Sequence, residues 1–294
     1  MQRFAIIVVL FLVTAHSAAE ARLHVVTSFL PLYCWTANVA DDLAIVENLL
    51  PPRSEPHEYA FTPGDARKLS SADLIVVNGL GLEPWLSKLF HGSPTARQRI
   101  LMTSSGLSSQ LIAGEREGDP HRERNHPNAH VWLDPQLAMI GASNIAAALQ
   151  QIDSTHATTY ATNAQRYLTR LRRLDHDIQQ SLAGVTNRAI VTYHDAFPYF
   201  ARRYGLEIAG VVEQVPDVNP TPKYLSRLAR TMRERNIHVI FIPPNSTTRL
   251  ARRIAEDLHV ELVELDTLET GAPSPSAYEE HMRANAAALQ KYLK

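Results

Sequence analysis

Four side chains that could bind a metal ion come from distant parts of the chain. They are His57 in a proline-rich turn, His130 after a polar loop, and His194 and Asp266, each directly after a short apolar run. Three neutral imidazoles and one carboxylate form a four-coordinate set that suits Zn²⁺. Manganese prefers more oxygen ligands, and affinity at nitrogen-rich sites rises from manganese towards zinc. If these four residues meet, the favoured ion is Zn²⁺ and the alternative is Mn²⁺.

Position relative to the predicted strands is the reason for considering these four residues. The chain has 13 histidines, and none of their spacings forms a compact ligand motif. In open α/β sheets, ligands bind outside the carboxyl ends of the strands. His194 and Asp266 follow predicted strands, so both are placed for a shared crevice. Spacing alone leaves a structural or solvent-exposed role open for each histidine.

The elements that must position these residues alternate between short apolar runs and helical patterns. Predicted strands are residues 23–27, 44–50, 74–78, 99–103, 131–133, 189–193, 207–212, 238–242 and 261–265. Several are continuous apolar runs, such as residues 74–77, which is typical of strands covered on both faces. The pattern predicts an α/β protein with two parallel-sheet lobes and the metal site in the cleft between them.

A long helix is predicted between the two halves. Apolar residues recur at spacings of three and four from Tyr160 to Leu182, and Asp153 and Ser154 mark a break and an N-cap before them. A helix over residues 155–182 would be about 42 Å long, enough to brace both lobes. The predicted domains are an N-terminal lobe (residues 22–153), a connecting helix (154–184) and a C-terminal lobe (185–294). The alternative is two ordinary core helices of one large domain.

The first residues indicate export. An apolar run from Phe4 to Val13 precedes Ala19-x-Ala21, which fits a signal-peptidase site, so residues 1–21 are a predicted signal peptide. An uncleaved anchor is the alternative, but the run is shorter than the ~20 apolar residues that span a bilayer. The only cysteine, Cys34, lies well downstream, so neither a lipid anchor nor an internal disulfide is expected. These features predict a soluble periplasmic protein.

Charge and loop composition add two expectations. The net charge of −1 over 294 residues implies no overall field that would collect nucleic acid or anionic lipid. Residues 113–129 are polar and without periodicity, as in an exposed mobile loop. Within this loop, His121 and His126 are a possible auxiliary site that collects zinc, and an inert solvated loop is equally compatible with the sequence.

Several motifs together resemble the zinc/manganese solute-binding proteins of ABC importers, a family that includes metal-binding lipoproteins and adhesins. The motifs are Glu55-Pro56-His57-Glu58-Tyr59, the run from Asn78 to Trp85, His130-Val131-Trp132-Leu133-Asp134-Pro135, and Tyr193-His194-Asp195. The similarity extends over nearly the whole mature chain. The resemblance implies two α/β lobes joined by a rigid helix, a buried metal between them, and ligands at His57, His130, His194 and Asp266.

The resulting functional prediction is a monomeric periplasmic zinc-binding protein, not an enzyme, that delivers the metal to an ABC-type membrane permease. A periplasmic metallochaperone is a possible second partner. A manganese-binding member of the same family is one alternative. A zinc hydrolase is another, because three histidines plus a bound water form a catalytic arrangement. Against the hydrolase are the absence of His-Glu-x-x-His and a fourth protein ligand at Asp266, which would occupy the place of the water.

Overall fold

The computed structural model describes residues 22–57, 59–86, 99–114, 127–213, 220–244 and 249–293. The predicted signal peptide, residues 1–21, lies outside the described residues. Among the residues that are described, no helix is both long enough and apolar enough to cross a membrane.

The first lobe is a four-stranded parallel sheet. Its strands are β1 (Leu23–Thr27), β2 (Ala44–Asn48), β3 (Leu74–Val77) and β4 (Arg99–Met102), and its first helices are α1 (Leu30–Ala40) and α2 (Pro63–Ser70). The strand order is β2-β1-β3-β4, and every pair is parallel. All four residues of β3 are buried, which is why this central strand is continuously apolar.

The second lobe repeats this arrangement. Its strands are β5 (Ala189–His194), β6 (Glu207–Glu213), β7 (Val239–Ile242) and β8 (Glu261–Glu264), in the order β6-β5-β7-β8 with parallel pairs. In each sheet the strand order reverses between two neighbours, β1 and β3 in the first and β5 and β7 in the second. In such folds the ligand-binding crevice lies at this point, outside the carboxyl ends of the strands. The predicted fold class, two parallel-sheet α/β lobes, is confirmed.

Two long helices connect the sheets, and four further helices complete the second half. The connecting helices are α3 (Pro135–Ile152) and α4 (Ala157–Leu182), followed by α5 (Pro198–Tyr204), α6 (Pro222–Glu234), α7 (Arg249–Leu258) and α8 (Ala277–Tyr292). Asp153 separates α3 from α4, and its side chain accepts a hydrogen bond from the backbone N–H of His156. The helix expected over residues 155–182 therefore forms, after one short 3-10 turn at Ser154–His156.

Asp175 of α4 ties the neighbouring helices together. Its carboxylate accepts hydrogen bonds from Gln136 of α3 at 2.6 Å and from Arg203 Nε of α5 at 2.9 Å. Burial by itself raises the pKa of Asp175, but the hydrogen bonds from Arg203 and Gln136 outweigh it and lower that pKa. The ionised carboxylate thus links helices that follow His130 and His194 in the chain.

The two faces of the second sheet have different coverings. Ile190 of β5 belongs to the large core that continues into the first lobe, whereas Val191 packs in a separate core that includes Leu228 of α6 and Ala251 of α7. Successive side chains of a strand point to opposite faces, so α6 and α7 form the outer layer of this lobe. The domain boundaries at residues 153 and 184 remain a prediction.

One predicted strand is wrong. Residues 131–133 form a 3-10 turn rather than a strand, with the N–H of Leu133 donating to the carbonyl of His130 at 3.3 Å. Asp134 caps α3 immediately afterwards, accepting from the N–H of Gln136 at 2.8 Å, so no length is left for a strand. A three-residue apolar run cannot distinguish a buried strand from a buried turn.

Candidate metal centre

Three histidines from three separate segments meet at one point. The Nε2 atom of His130 lies 3.1 Å from Nε2 of His194 and 3.4 Å from Nε2 of His57. His194 is the last residue of β5, His57 lies in the turn between β2 and α2, and His130 precedes the 3-10 turn before α3. The structure thus brings together the three histidines that the sequence analysis assigned to one site, and their role as metal ligands remains a prediction.

The fourth member of the group is Glu269. Its Oε1 atom lies 3.2 Å from Nε2 of His57 and 3.4 Å from Nε2 of His130. One ligand atom from each of the four residues lies within 4.8 Å of every other. The side chains of Glu269 and His130 are only 5% and 4% exposed, so the group is sealed from bulk water on that side.

The donor set fits a tetrahedral cation. With metal–ligand bonds of ~2.0 to 2.1 Å, neighbouring ligand atoms of a tetrahedron lie about 3.3 to 3.4 Å apart. Four of the six separations among the Nε2 and Oε1 atoms are 3.1 to 3.4 Å, and all six ligand-atom separations are within 4.8 Å. Among the described residues, Oε1 of Glu269 is buried and makes no hydrogen bond of regular geometry. A buried carboxylate oxygen facing imidazole nitrogens at these distances is the environment that a divalent ion satisfies.

Asn128 fixes which nitrogen of His130 carries the proton. The Asn128 side-chain N–H₂ donates to the backbone carbonyl of Asp195 at 2.8 Å, which turns its Oδ1 towards His130. The Nδ1 atom of His130 lies 2.9 Å from that Oδ1, and an amide oxygen only accepts hydrogen bonds, so Nδ1 bears the hydrogen. The lone pair of Nε2 is therefore directed into the site, as metal coordination requires.

Replacing Asn128 with alanine should weaken zinc binding about 10- to 100-fold, the usual effect of losing a group that orients a metal-ligating histidine. The measurement is competition with a chelator of known zinc affinity. Asn144→Ala is the matched control, because Asn144 donates to the carbonyls of Thr103 and Ser105 and contacts none of the four site residues. Equal affinities of the parent and the Asn128 variant would contradict the orienting role.

The carboxylate of Glu269 stays ionised. Burial by itself raises the pKa of this carboxyl group, but the closeness of the imidazoles of His130 and His57 outweighs that effect and holds the pKa well below its usual range. The group therefore offers a negative oxygen to a cation, and protons do not compete for that oxygen near neutral pH.

The structure does not bring Asp266 to the group, although the sequence analysis placed the fourth ligand there. Its Oδ2 atom lies 2.5 Å from Nδ1 of His281, and its Oδ1 accepts from the N–H of Leu268 at 2.7 Å. The hydrogen bond to Asp266 raises the pKa of His281, against the opposing effect of burial. Both carboxylate oxygens of Asp266 therefore have partners, His281 of α8 and the backbone N–H of Leu268. The carboxylate that lies beside the histidines belongs to Glu269, three residues further along the chain.

Contacts with the first lobe hold the segment that carries Glu269. The indole N–H of Trp132 donates to the carbonyl of Thr267 at 2.8 Å, and the N–H of Gly271 donates to the carbonyl of Pro52 at 2.8 Å. Leu268, between Asp266 and Glu269, has a φ of +60°, a left-handed backbone conformation that is uncommon for leucine. These contacts lie directly beside His130, so Glu269 is positioned by both halves of the protein.

Sequence reasoning missed Glu269 because two acidic residues follow β8. Asp266 comes first after the predicted strand, and the rule that ligands lie at carboxyl ends of strands selects it. The backbone at Leu268 is left-handed, and Glu269 follows it with its side chain beside the histidines. A leucine in the sequence does not predict a left-handed conformation. The other predicted loop residues, His121 and His126, lie outside the described residues, and their auxiliary role remains a prediction.

Two parallel-sheet lobes with a buried cluster of three histidines and one carboxylate define a bilobal metal-binding protein of the solute-binding type. The chain belongs to the ZnuA family, the periplasmic component A of the zinc-uptake complex, which matches residues 25–292. The resemblance found in the sequence motifs is therefore confirmed at the level of the family.

Curated relatives and solved structures agree with this assignment. The chain is 30% identical over 254 residues to the high-affinity zinc uptake system protein ZnuA of Bacillus subtilis, covering 84% of this chain and 79% of the relative. It is 30% identical to the zinc-binding lipoprotein AdcA of Streptococcus pneumoniae over 89% of this chain, but spans only 53% of that relative. The crystal structure of a Zn(II)-bound variant of AdcAII from Streptococcus pneumoniae superposes with a TM-score of 0.82 at 27% identity, covering 93% of this chain and 99% of that one.

Proposed function

We propose that this protein is the solute-binding component of an ABC-type zinc importer, which captures Zn²⁺ with His57, His130, His194 and Glu269 and delivers it to a membrane permease. The observation that carries the proposal is the convergence of three imidazole nitrogens and one buried carboxylate oxygen within 4.8 Å of one another. The relatives named above are zinc-uptake and zinc-binding proteins, which supports zinc as the cargo.

A closed coordination shell favours binding over catalysis. Catalytic zinc sites keep one position open for water, whereas four protein ligands occupy all positions of a tetrahedron. The buried Glu269 takes the position that a hydrolase would leave to water. We therefore infer that the protein is a carrier and not an enzyme, in keeping with a family of transport components.

Metal preference and release follow from the same ligands. Nitrogen-rich sites favour Zn²⁺ over Mn²⁺, and imidazoles must lose their protons to coordinate, so affinity falls as the solution becomes acidic. Elemental analysis of the protein purified from its native compartment, followed by zinc and manganese competition at equilibrium, tests the proposal. We expect zinc to be retained and manganese to be displaced. Preferential retention of manganese, or ester turnover with a metal-bound water, would overturn it.

Location and partners complete the proposed role. The family is periplasmic, and a permease partner follows from its place in an uptake complex. A monomeric carrier and delivery of zinc by a metallochaperone remain predictions. The expected lack of a lipid anchor also remains a prediction, and the relative AdcA is named a lipoprotein.

A further inference from the structure

The outer layer of the second lobe carries a concentration of positive charge. Helices α6 and α7 contain four and three basic residues, against one and two acidic residues. We define the basic face by seven exposed side chains, Lys223, Arg227, Arg230, Arg233, Arg249, Arg252 and Arg253. The net charge of the whole chain is −1, so acidic residues elsewhere compensate the positive charge of this face. The overall composition therefore does not reveal it.

The basic residues occupy one exposed side of each helix. Arg230 and Arg233 are three residues apart on α6, and Arg249 and Arg253 are four apart on α7, so each pair shares a helix face. The opposite sides of the same helices are buried through residues such as Leu228 and Ile254, which pack against the sheet. Both helices cover the same face of the sheet, so their charged sides point away from it on the same side of the lobe.

Helix stability does not account for this arrangement. Positive charges are unfavourable near a helix N-terminus, where the backbone dipole favours acidic residues. Yet Lys223 lies in the first turn of α6 and Arg249 begins α7, and neither helix has an acidic residue in its first turn. The acidic residues of both helices lie at their C-terminal ends, where they are also unfavourable. Arg233 in the last turn of α6 is placed favourably, but the charges at the two N-terminal ends are not, and these point to an external partner.

The composition of the face indicates what that partner is. Among the described residues, the exposed large hydrophobic side chains are Ile45 and Met102, both in the first lobe. Protein interfaces usually centre on buried aromatic or aliphatic anchors, and the basic face has none. Six of its seven charges are guanidinium groups, which bind phosphate with paired hydrogen bonds. This chemistry fits the phosphate headgroups of an anionic lipid bilayer.

We propose that the basic face adsorbs the protein onto an anionic phospholipid surface. Both helices follow strands of the parallel sheet and run back along it, so their N-terminal ends, which carry Lys223 and Arg249, lie at the edge where β5 ends in His194. Adsorption through this face brings the metal-bearing edge close to the membrane in which a permease resides. The interaction is independent of metal binding, because none of the seven residues belongs to the metal centre.

Vesicle binding of the full mature chain tests the proposal. The probes are vesicles of phosphatidylglycerol mixed with phosphatidylcholine, and vesicles of phosphatidylcholine alone. The test variant replaces Arg230, Arg233, Arg249 and Arg253 with glutamine. We expect the parent to bind only the anionic vesicles, and the variant to bind them about fivefold more weakly per charge removed. Binding should also weaken with added salt, because the Debye length falls from about 10 Å at 0.1 M to about 3 Å at 1 M.

A charge-matched variant separates a specific face from net charge. It replaces four exposed arginines elsewhere, Arg53, Arg67, Arg172 and Arg173, with glutamine. This control should keep most of the vesicle binding, and both variants should keep the zinc affinity of the parent, so the result does not depend on the proposed metal function. Equal losses in the two variants, or no binding of the parent to anionic vesicles, would overturn the proposal. Binding to a detergent-solubilised permease that depends on the same four arginines, without vesicle binding, would instead assign the face to a protein partner.

Discussion

Replacing His130 with alanine should weaken zinc binding by more than about hundredfold, beyond the range seen when only an orienting neighbour of a ligand is lost. His130 is the centre of the group, since its Nε2 lies within 3.4 Å of the ligand atoms of His57, His194 and Glu269. Its loss would leave the ligand atoms of His57, His194 and Glu269 without the one imidazole that lies close to all three. Chelator competition at fixed pH gives the affinity directly.

His176→Ala is the matched control for this substitution. His176 is an exposed residue of α4 and is not part of the metal group. Thermal unfolding of both variants without zinc checks that the fold is intact, and added zinc should raise the unfolding temperature of the control far more than that of His130→Ala. An unchanged zinc affinity of a folded His130→Ala protein would show that the ion binds elsewhere.

Glu269→Gln should weaken zinc binding far more than Asp266→Asn. The first change removes a buried negative charge that faces two imidazoles at 3.2 and 3.4 Å, and the amide that replaces it is a weaker ligand. The second change keeps an oxygen that can accept from the N–H of Leu268 and disturbs only the contact with His281. We expect a loss of about hundredfold or more for Glu269→Gln, and of about tenfold or less for Asp266→Asn.

The pair of variants distinguishes the two candidate fourth ligands, because each residue serves as the control for the other. Both substitutions are nearly isosteric, and both remove one negative charge from the same four-residue segment, Asp266 to Glu269. X-ray absorption of the zinc-loaded proteins should show the carboxylate oxygen lost from the coordination shell only in the Glu269 variant. The reverse order of affinities would mean that the segment rearranges on metal binding and that Asp266 coordinates after all.

Much of the fold could be predicted from local pattern. Continuous apolar runs such as residues 74–77 indicate strands buried on both faces, and the spacing from Tyr160 to Leu182 predicts the long helix almost to the residue. Asp134 and Asp153 mark helix starts because their short side chains accept backbone hydrogen bonds. These features depend on neighbours within a few residues, so the sequence contains them directly. The turn at residues 131–133 was mistaken for a strand because so short a run has no period.

The sequence by itself determined the two-lobed α/β architecture, and strand ends and motif resemblance predicted the three histidines that the structure brings together. Only the tertiary structure decided the fourth member. Sequence position favours Asp266 over Glu269, and the structure selects Glu269 through the left-handed backbone conformation of Leu268 and the contacts with His281 and Trp132. The partners of this segment lie 15 residues or more away along the chain, so no local pattern encodes which carboxylate turns towards the histidines.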